Sequence, residues 1–279
     1  MIPPAATQPN AEKIELSGVQ ETLLITLHAR ALESRSPDPI LRDETAERLV
    51  ESIAYDFARL KSAQGDRFTT SVRAKQLDAW TREYLEAHPD ATVLHLGCGL
   101  DSRVIRVAPP PTVRWFEVDL PEVIAARRRL YPEQPHVEMI GVSVTEPTWL
   151  GQIADDRPTL VVAEGLLPYL SAAEVEDLLR RIVVRFPEGQ VLFDALSPRA
   201  LRSQGLHSSL RKTGAQLVWG LDDPHELESH VFGLELMDEW PLIGSPDVAK
   251  LGWLKGKVLA WAAKRPRIAR MHRVLRYRF

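Results

Sequence analysis

The chain has 279 residues, of which 44% are hydrophobic and 26% are charged, a balance typical of a folded globular protein rather than a disordered one. The formal net charge of −3 argues against a general nucleic-acid binder. A single cysteine, Cys98, excludes an internal disulfide bond and is typical of a cytoplasmic protein.

Residues 1–17 are predicted to be a mobile tail, because Met1–Lys13 is rich in proline, alanine and asparagine. This stretch lacks the apolar core and basic flank of a signal peptide, and no apolar run in the chain reaches the length of a membrane span. The rest of the chain is expected to form one domain with three parts: a helical cap (18–90), a cofactor-binding core (91–195), and substrate-side helices with terminal strands (196–279).

Hydrophobic residues at helical spacing predict three helical regions before the first strand: a helix over Val19–Glu33, helical segments from Asp43 to Leu60, and a longer helix over Thr70–Ala87. The segment Ser34–Pro39 separates the first two helices. Because all three precede every predicted strand, we expect them to cover one side of an α/β core.

Arg73 is the unusual residue of the third helix, because it falls on the apolar face formed by Leu77, Trp80 and Tyr84. A buried guanidinium requires an anionic partner. The partner is either a carboxylate of the same chain, or a ligand carboxylate that the planar guanidinium binds with two hydrogen bonds. A third reading places the arginine at the helix end with its head in water.

A glycine-rich turn follows the first predicted strand, Val93–Leu96, in the run Val93–Arg103. Strand, glycine turn and helix form the local pattern of a nucleotide-binding crossover. Gly97 and Gly99 permit positive φ angles and let a ligand approach the backbone, and Asp101 or Ser102 is suited to cap the following helix. A plain tight turn is the alternative reading.

Asp119 ends the second predicted strand, Val113–Asp119, about 20 residues beyond the glycines, where such folds place an acid that binds ribose hydroxyls. An ionised aspartate only accepts hydrogen bonds, which suits a vicinal diol. The alternative is that Asp119 caps the helix that begins at Pro121.

Two classes of ligand use this layout, nicotinamide dinucleotides and S-adenosylmethionine. The dinucleotide fingerprint requires a third glycine, and this chain has Ser102 at that position. The sequence contains no Tyr-x-x-x-Lys pair of the kind found in one group of reductases. These features favour S-adenosylmethionine, which has no phosphate.

After Asp119 helices and strands alternate, as in an α/β fold with a parallel sheet. Strands are predicted over His136–Ile140, Thr159–Ala163 and Gln190–Ala195, and a capping box of Ser171 and Glu174 begins the long helix before the last of them. Ligands bind at the carboxyl ends of such strands, so the candidate residues are Gly97, Asp119, Ser143, Glu164 and Asp194.

Two shorter helices are predicted between these strands, over Pro121–Leu130 and Pro147–Ala154. The run Arg127–Arg129 in the first of them is interpreted as a solvated face.

The last part of the chain departs from this alternation. His225 and His230 are five residues apart, off one helix face, and are not expected to bind a metal. No acidic residue follows Asp247, whereas ten lysines and arginines do. The apolar residues from Leu251 to Ala262 predict an amphipathic helix with a solvated basic face, or one that binds an anionic lipid or acyl-carrier surface. Met271–Phe279 alternates as a terminal strand.

Four segments, Val93–Arg103, Trp115–Pro121, Ala163–Leu170 and Tyr277–Phe279, together resemble the leucine carboxyl methyltransferase family, in particular a bacterial branch of polyketide O-methyltransferases. The runs Leu-Gly-x-Gly-x-Asp-x-Arg and Glu-x-Asp-x-Pro are specific in combination. The resemblance implies an α/β class I methyltransferase (Rossmann-like) fold: a seven-stranded, mostly parallel sheet whose last strand is antiparallel, with an N-terminal helical cap.

The resemblance also implies roles for individual residues. Arg73 would hold the methionyl carboxylate of S-adenosylmethionine, Gly97 would line the methionine end, Asp119 would bind the ribose, and Glu164 would lie near the donor's amino group. Eukaryotic members have an aspartate near the adenine where this chain has Ser143. The predicted donor-binding residues are Arg73, Gly97, Gly99, Asp119, Ser143, Val144 and Glu164.

The resulting prediction is a cytoplasmic S-adenosylmethionine-dependent O-methyltransferase that acts on a carboxylate or hydroxyl of a small secondary-metabolite acceptor such as a polyketide. Methyl transfer is an in-line displacement in which alignment supplies much of the rate. A carboxylate needs no general base, whereas a hydroxyl does. No catalytic histidine or lysine pair is recognised, and His207, His225 and His230 are each expected to be surface residues, so a carboxylate acceptor is preferred.

Two alternatives remain open from the sequence. A nicotinamide-dependent reductase has a related fold, and a thermal-shift comparison of the two cofactors would separate the two enzymes. A protein that binds S-adenosylmethionine without turnover, and acts as a partner, would keep the same binding residues.

Overall fold

A single mixed sheet of seven strands organises the chain. The computed structural model describes residues 21–60, 62–202 and 216–279, so the tail predicted for residues 1–17 lies outside the described part. The strands are β1 (Thr92–Leu96), β2 (Arg114–Asp119), β3 (Val137–Gly141), β4 (Thr159–Ala163), β5 (Gly189–Leu196), β6 (Glu235–Pro241) and β7 (His272–Arg278). Their order across the sheet is β3-β2-β1-β4-β5-β7-β6.

The helices lie before and between these strands. They are α1 (Glu21–Ser34), α2 (Glu44–Ser52), α3 (Ser62–Ala87), α4 (Arg103–Val107), α5 (Pro121–Leu130), α6 (Ala172–Arg185), α7 (Pro198–Arg202), α8 (Glu226–His230), α9 (Trp253–Ala263) and α10 (Pro266–Ala269). Short 3-10 turns cover Phe57–Arg59, Pro147–Gln152, Leu167–Tyr169, Leu242–Gly244 and Pro246–Leu251. The predicted fold class is therefore confirmed: a largely parallel α/β sheet preceded by helices.

β7 is the one antiparallel strand in the described sheet, since it pairs antiparallel with both β5 and β6 while β1 to β5 pair in parallel. In this register Leu196, the last residue of β5, lies opposite His272, the first residue of β7. The beginning of β7 therefore lies at the same edge of the sheet as the carboxyl ends of the parallel strands.

Both faces of the sheet are covered, as expected for parallel strands that are apolar on both sides. Leu94 and Val161 pack on one face with the helix α6. Val93 and Leu160 pack on the other face in a cluster that includes the buried stripe of α3. The alternation of neighbouring residues between two hydrophobic clusters follows from the two-residue period of a strand.

The capping box of α6 is present as predicted, with the hydroxyl of Ser171 and the carboxylate of Glu174 both bonded as the motif requires. The helical segments predicted from Asp43 to Leu60 are α2, which ends at Ser52, and the 3-10 turn over Phe57–Arg59. α3 begins at Ser62 rather than at Thr70. These differences concern helix limits and leave the order of elements unchanged.

Two interpretations of basic segments were wrong. Arg127 is not part of a solvated face: its side chain is fully buried and forms an ion pair with Glu117 of β2. Among its neighbours, Arg128 and Arg129 are exposed. α9 exists and packs on the protein through Leu259 and Ala262, but its large apolar residues Trp253, Leu254, Val258 and Trp261 are exposed, so the helix does not bury one continuous apolar stripe.

Buried ion pairs join the helical cap to the sheet. Asp43, at the N-cap of α2, pairs with Arg30 of α1 at 3.1 Å and with Arg106 of α4 at 3.0 Å. Ser102 occupies the predicted cap position of α4, but its hydroxyl donates to Asp43 Oδ1 at 2.6 Å instead of capping the helix. The helical cap is thereby held over the glycine-rich turn.

Candidate functional site

A cavity of about 440 Å³ lies between the helical cap and the carboxyl ends of the central strands. Its size is within the range of small-molecule sites. The residues that line it come from α1, α3, the turn after β1, the segment after β4, and the region around the end of β5. The cavity thus joins segments that are far apart in the sequence.

The glycine-rich turn forms one wall of this cavity. Gly97 has a φ of 59° and Gly99 a φ of 50°, a region of backbone conformation that glycine adopts readily. A Cβ at Gly97 would lie 3.0 Å from Leu166 Cδ1, and a Cβ at Gly99 would lie 2.9 Å from Leu23 Cδ2. Both glycines are therefore favoured by backbone conformation, and at Gly97 the Leu166 side chain adds a close approach.

Arg73 reaches from α3 into the same cavity. Its Nε donates to Glu164 Oε1 at 2.9 Å and its Nη1 donates to Asp194 Oδ2 at 2.8 Å. Burial alone would lower the pKa of Arg73, but the charges of Asp194 and Glu164 raise it above its usual value. The internal salt bridge is therefore present, and it lies where a ligand carboxylate could share the guanidinium.

Glu164 follows β4 and lies between two arginines. Its Oε1 accepts from Arg73, and its Oε2 accepts from Arg103. Arg103 is fully buried and also pairs with Asp78 of α3 at 2.8 Å. The buried Arg103 thus fixes the position of the Glu164 side chain at the cavity wall.

Asp119 ends β2 beside the glycine turn. Its Oδ2 accepts from the backbone N–H of Gly99 at 2.7 Å, and its Oδ1 accepts from that of Leu120 at 2.8 Å. Burial raises the pKa of Asp119, against the opposing effect of these two hydrogen bonds. The helix-cap alternative was wrong, because the N-cap of α5 is Leu120 and Asp119 points back to the turn.

The buried side chain of Arg127 holds the backbone of this turn in place. Its Nη1 donates to the carbonyl oxygens of Gly99 at 2.8 Å and Asp101 at 2.9 Å, while its other nitrogens bind Glu117. The guanidinium therefore ties the glycine turn to the middle of β2.

Ser143 and Val144 are not among the residues that line the cavity. The Ser143 hydroxyl lies 2.8 Å from Thr145 Oγ1, and Val144 is buried, with its carbonyl accepting from Trp149 Nε1 at 3.3 Å. The structure brings together Arg73, Gly97, Gly99 and Glu164, and it places Asp119 beside them. The predicted contact of Ser143 and Val144 with the adenine stays a prediction.

His272, which no sequence motif indicated, also lines the cavity. His272 Nε2 lies 3.0 Å from Asp194 Oδ2, and both residues line the cavity. This pair of a histidine and a carboxylate at the strand ends was not recognised from the sequence. The signal that could have identified His272 was the antiparallel terminal strand. The first residue of such a strand lies at the same sheet edge as the carboxyl ends of the parallel strands.

The other histidines considered earlier lie elsewhere. His225 and His230 are largely exposed and pair with Glu228 and Glu176, each at 3.0 Å. His207 lies outside the described residues.

None of the helices in the described ranges is both long enough and apolar enough to cross a membrane.

Comparison with known proteins agrees with this geometry. The sequence model of the leucine carboxyl methyltransferase family matches residues 23–183. The tetracenomycin polyketide synthesis O-methyltransferase TcmP of Streptomyces glaucescens is 48% identical over 96% of this chain and 99% of its own length. The S-adenosyl-L-methionine-dependent methyltransferase dpfgK of Gibberella zeae is 38% identical over 88% of this chain and 90% of its own length.

A solved structure supports the fold alone. A duf574 family protein of Streptomyces avermitilis superposes with a TM-score of 0.60 at 13% identity, over 92% of this chain and 96% of its own. The sequence matches favour the methyl donor over the nicotinamide alternative. The chain therefore belongs to the leucine carboxyl methyltransferase family, and it is an S-adenosylmethionine-dependent O-methyltransferase.

Proposed function

We propose that this chain methylates a carboxylate oxygen of a small, largely apolar acceptor of polyketide type, forming a methyl ester. One observation carries the proposal: four residues suited to the methyl donor, Arg73, Gly97, Gly99 and Glu164, line the same cavity as a second, mainly apolar group of residues. Donor and acceptor would then meet in one enclosed volume, as an in-line displacement requires.

The donor side of the cavity fits S-adenosylmethionine. Arg73 would bind the methionyl carboxylate, Glu164 the amino group, and Asp119 the ribose hydroxyls, while Gly97 and Gly99 both have positive φ angles that favour glycine in the turn. When bound, the donor supplies a methyl carbon made electrophilic by its sulfonium. The role of these side chains is to bind and orient the donor, since all of them are already charged or fixed by hydrogen bonds.

Asp119→Ala is expected to weaken donor binding by roughly 1.5–3 kcal/mol, because the ribose loses a charged hydrogen-bond acceptor. Calorimetric titration with S-adenosylhomocysteine measures the change directly. Glu122→Ala is the matched control, since Glu122 is an exposed carboxylate in the first turn of α5. A folded Asp119→Ala protein with wild-type affinity would refute the ribose role.

The acceptor side lies beyond Arg73, toward the end of β5. The residues there are predominantly apolar, namely Pro168, Tyr169, Leu196, Ala200 and Leu217. Such a lining suits a planar, mostly hydrocarbon acceptor, with few polar groups to fix its orientation. TcmP is named for tetracenomycin polyketide synthesis, and the chain covers nearly all of that relative, which supports an acceptor of polyketide type.

The carboxylate is preferred over a hydroxyl for two reasons. A carboxylate with an ordinary pKa is already ionised at neutral pH, so alignment with the donor suffices. The family whose sequence model matches is described as a carboxyl methyltransferase. A hydroxyl acceptor is the second candidate, because the His272–Asp194 pair has the arrangement of a base held by a carboxylate.

The product distinguishes these two candidates. We expect the enzyme to transfer labelled methyl from S-adenosylmethionine to a hydroxynaphthoic acid, which carries both groups, and the label to be released by mild alkali because esters hydrolyse. Naphthoic acid should be a substrate and naphthol should not. Label that resists alkali, or transfer to naphthol alone, would show that the acceptor atom is a hydroxyl oxygen.

We also propose that the enzyme acts in the cytoplasm, a location supported by its one cysteine, Cys98, which is a buried free thiol.

A further inference from the structure

We propose that α9 is a membrane-binding helix, which holds the enzyme on lipid surfaces that contain anionic phospholipids. The helix would lie on the membrane surface and would not cross it. Among the described residues that line the cavity, none belongs to α9. The inference therefore concerns a second functional surface and does not depend on which acceptor group is methylated.

The outer side of α9 is apolar and exposed to solvent. The exposed fractions of its large side chains are 74% for Trp253, 67% for Leu254, 56% for Val258 and 57% for Trp261. At about 100° per residue, these four positions occupy less than half of the helix circumference. A continuous exposed apolar patch of this kind marks an interaction surface.

The opposite side of α9 is packed on the protein. Leu259 is partly buried against the hydrophobic cluster that includes α3, and Ala262 is buried. Gly256 lies over the 3-10 turn Pro246–Leu251, because a Cβ at this glycine would be 3.3 Å from the carbonyl oxygen of Val248. The packing of this side determines that the two tryptophans and their apolar neighbours face outward.

Two cations lie on the aromatic rings of the exposed side. Lys257 Nζ is 4.3 Å from the centre of the Trp253 ring, and the guanidinium carbon of Arg265 is 3.1 Å from that of Trp261. Positive charge therefore lies within the apolar patch and not only around it. The central part of a protein–protein interface is depleted in charged residues, whereas the headgroup layer of a membrane accommodates tryptophan rings and cations together. This arrangement favours a lipid surface over a protein partner.

The positive charge around the patch is not neutralised by neighbouring carboxylates. No acidic residue follows Asp247 in the sequence. Five exposed basic residues have no carboxylate partner within the described ranges, namely Lys255, Lys257, Lys264, Arg265 and Arg267. Such a surface attracts the phosphate groups of anionic phospholipids, and it would repel the same surface of a second copy of the chain.

Flotation of the full chain with lipid vesicles tests the proposal. The probes are vesicles of pure phosphatidylcholine and vesicles of equal parts phosphatidylcholine and phosphatidylglycerol, which differ in surface charge. We expect binding to the anionic vesicles to be at least about tenfold tighter, because each basic side chain near such a surface strengthens binding by roughly fivefold. Added salt should weaken the binding, because ions screen this attraction.

Two double variants remove the charge and the apolar contact separately. Lys255→Gln/Lys257→Gln and Trp253→Ser/Trp261→Ser should each weaken binding to the anionic vesicles by at least about tenfold. All four side chains are exposed, so both proteins should fold, which thermal unfolding checks. Phe232→Ser is the matched control, since Phe232 is a 96% exposed aromatic residue between α8 and β6, and it should bind as wild type does.

Fluorescence shows whether the lipid contact is made by α9 itself. Of the seven tryptophans in the chain, Trp253 and Trp261 are largely exposed, whereas the other five are buried or partly buried. Brominated phosphatidylglycerol in the vesicles should therefore quench part of the emission. In Trp253→Phe/Trp261→Phe this quenching should disappear.

Equal binding to the two kinds of vesicle, no binding to either, or wild-type binding by either of the double variants that weaken charge or apolar contact would overturn the proposal. Two further results would assign the surface to a protein partner and overturn it as well. One is a stable dimer that is lost in Trp253→Ser/Trp261→Ser. The other is binding of an acidic carrier protein through α9 without binding to anionic vesicles.

Discussion

Arg73→Ala should weaken donor binding by roughly tenfold to a hundredfold, the loss expected for charge-assisted hydrogen bonds of about 1.5–3 kcal/mol. The same change should lower the free energy of unfolding, because Glu164 and Asp194 lose the guanidinium that lies between them. Breaking a buried ion pair by removing one partner costs about 3–5 kcal/mol. Each carboxylate retains other partners, so we expect the lower end of that range.

Arg73→Lys separates charge from geometry. A lysine keeps the positive charge but loses the planar arrangement of donors, so affinity should fall between those of wild type and Arg73→Ala. Calorimetry with S-adenosylhomocysteine and thermal unfolding should be measured on the same samples. If Arg73→Ala unfolds earlier yet binds the donor product normally, Arg73 forms an internal salt bridge and has no direct role in binding.

Arg127→Met should reduce the free energy of unfolding by about 3–5 kcal/mol, the usual effect of leaving a buried charge unpaired. Glu117 is 1% exposed and Arg127 fully buried, so no solvent compensates for the lost partner. Donor affinity should fall as well, because Arg127 also holds the carbonyl oxygens of Gly99 and Asp101 in the glycine turn.

Arg128→Ala is the matched control for this change. Arg128 is an exposed neighbour in the same helix, donating to the carbonyl oxygen of Met139, and surface substitutions of this kind usually alter stability by less than about 0.5 kcal/mol. Denaturant unfolding of the two variants gives the comparison. Similar midpoints for both would contradict the assignment of the buried ion pair.

Much of the geometry of the candidate site was predictable because its signals are local. The glycines of the turn and the carboxylate of Asp119 stand at fixed distances along a strand–turn–helix unit, and the structure places Asp119 on the backbone N–H of Gly99. Arg73 was identified because a charged residue on an apolar helix face requires an anionic partner. In these cases one segment contains both the signal and its physical reason.

Other features depended on partners that are distant in sequence. Arg127 looked like part of a solvated run, because nothing near it in sequence indicates that Glu117 of β2 points at it from the sheet. His272 lies at the cavity only because β7 pairs antiparallel with β5. α9 was predicted to be amphipathic from the spacing of its apolar residues, yet Trp253 and Trp261 remain exposed. Packing between elements, rather than periodicity within one, decides each of these outcomes.

The rate of methyl transfer in a single turnover, measured against pH at saturating acceptor, tests the central claim most directly. If the acceptor is a carboxylate that is aligned and already ionised, the rate should be flat between about pH 6 and about pH 8. A hydroxyl activated by a histidine base would instead give a rate that rises through that interval as the imidazole loses its proton. A flat profile with an alkali-labile product agrees with carboxylate methylation, whereas a rising profile with an alkali-stable product would contradict it and identify His272 as the base.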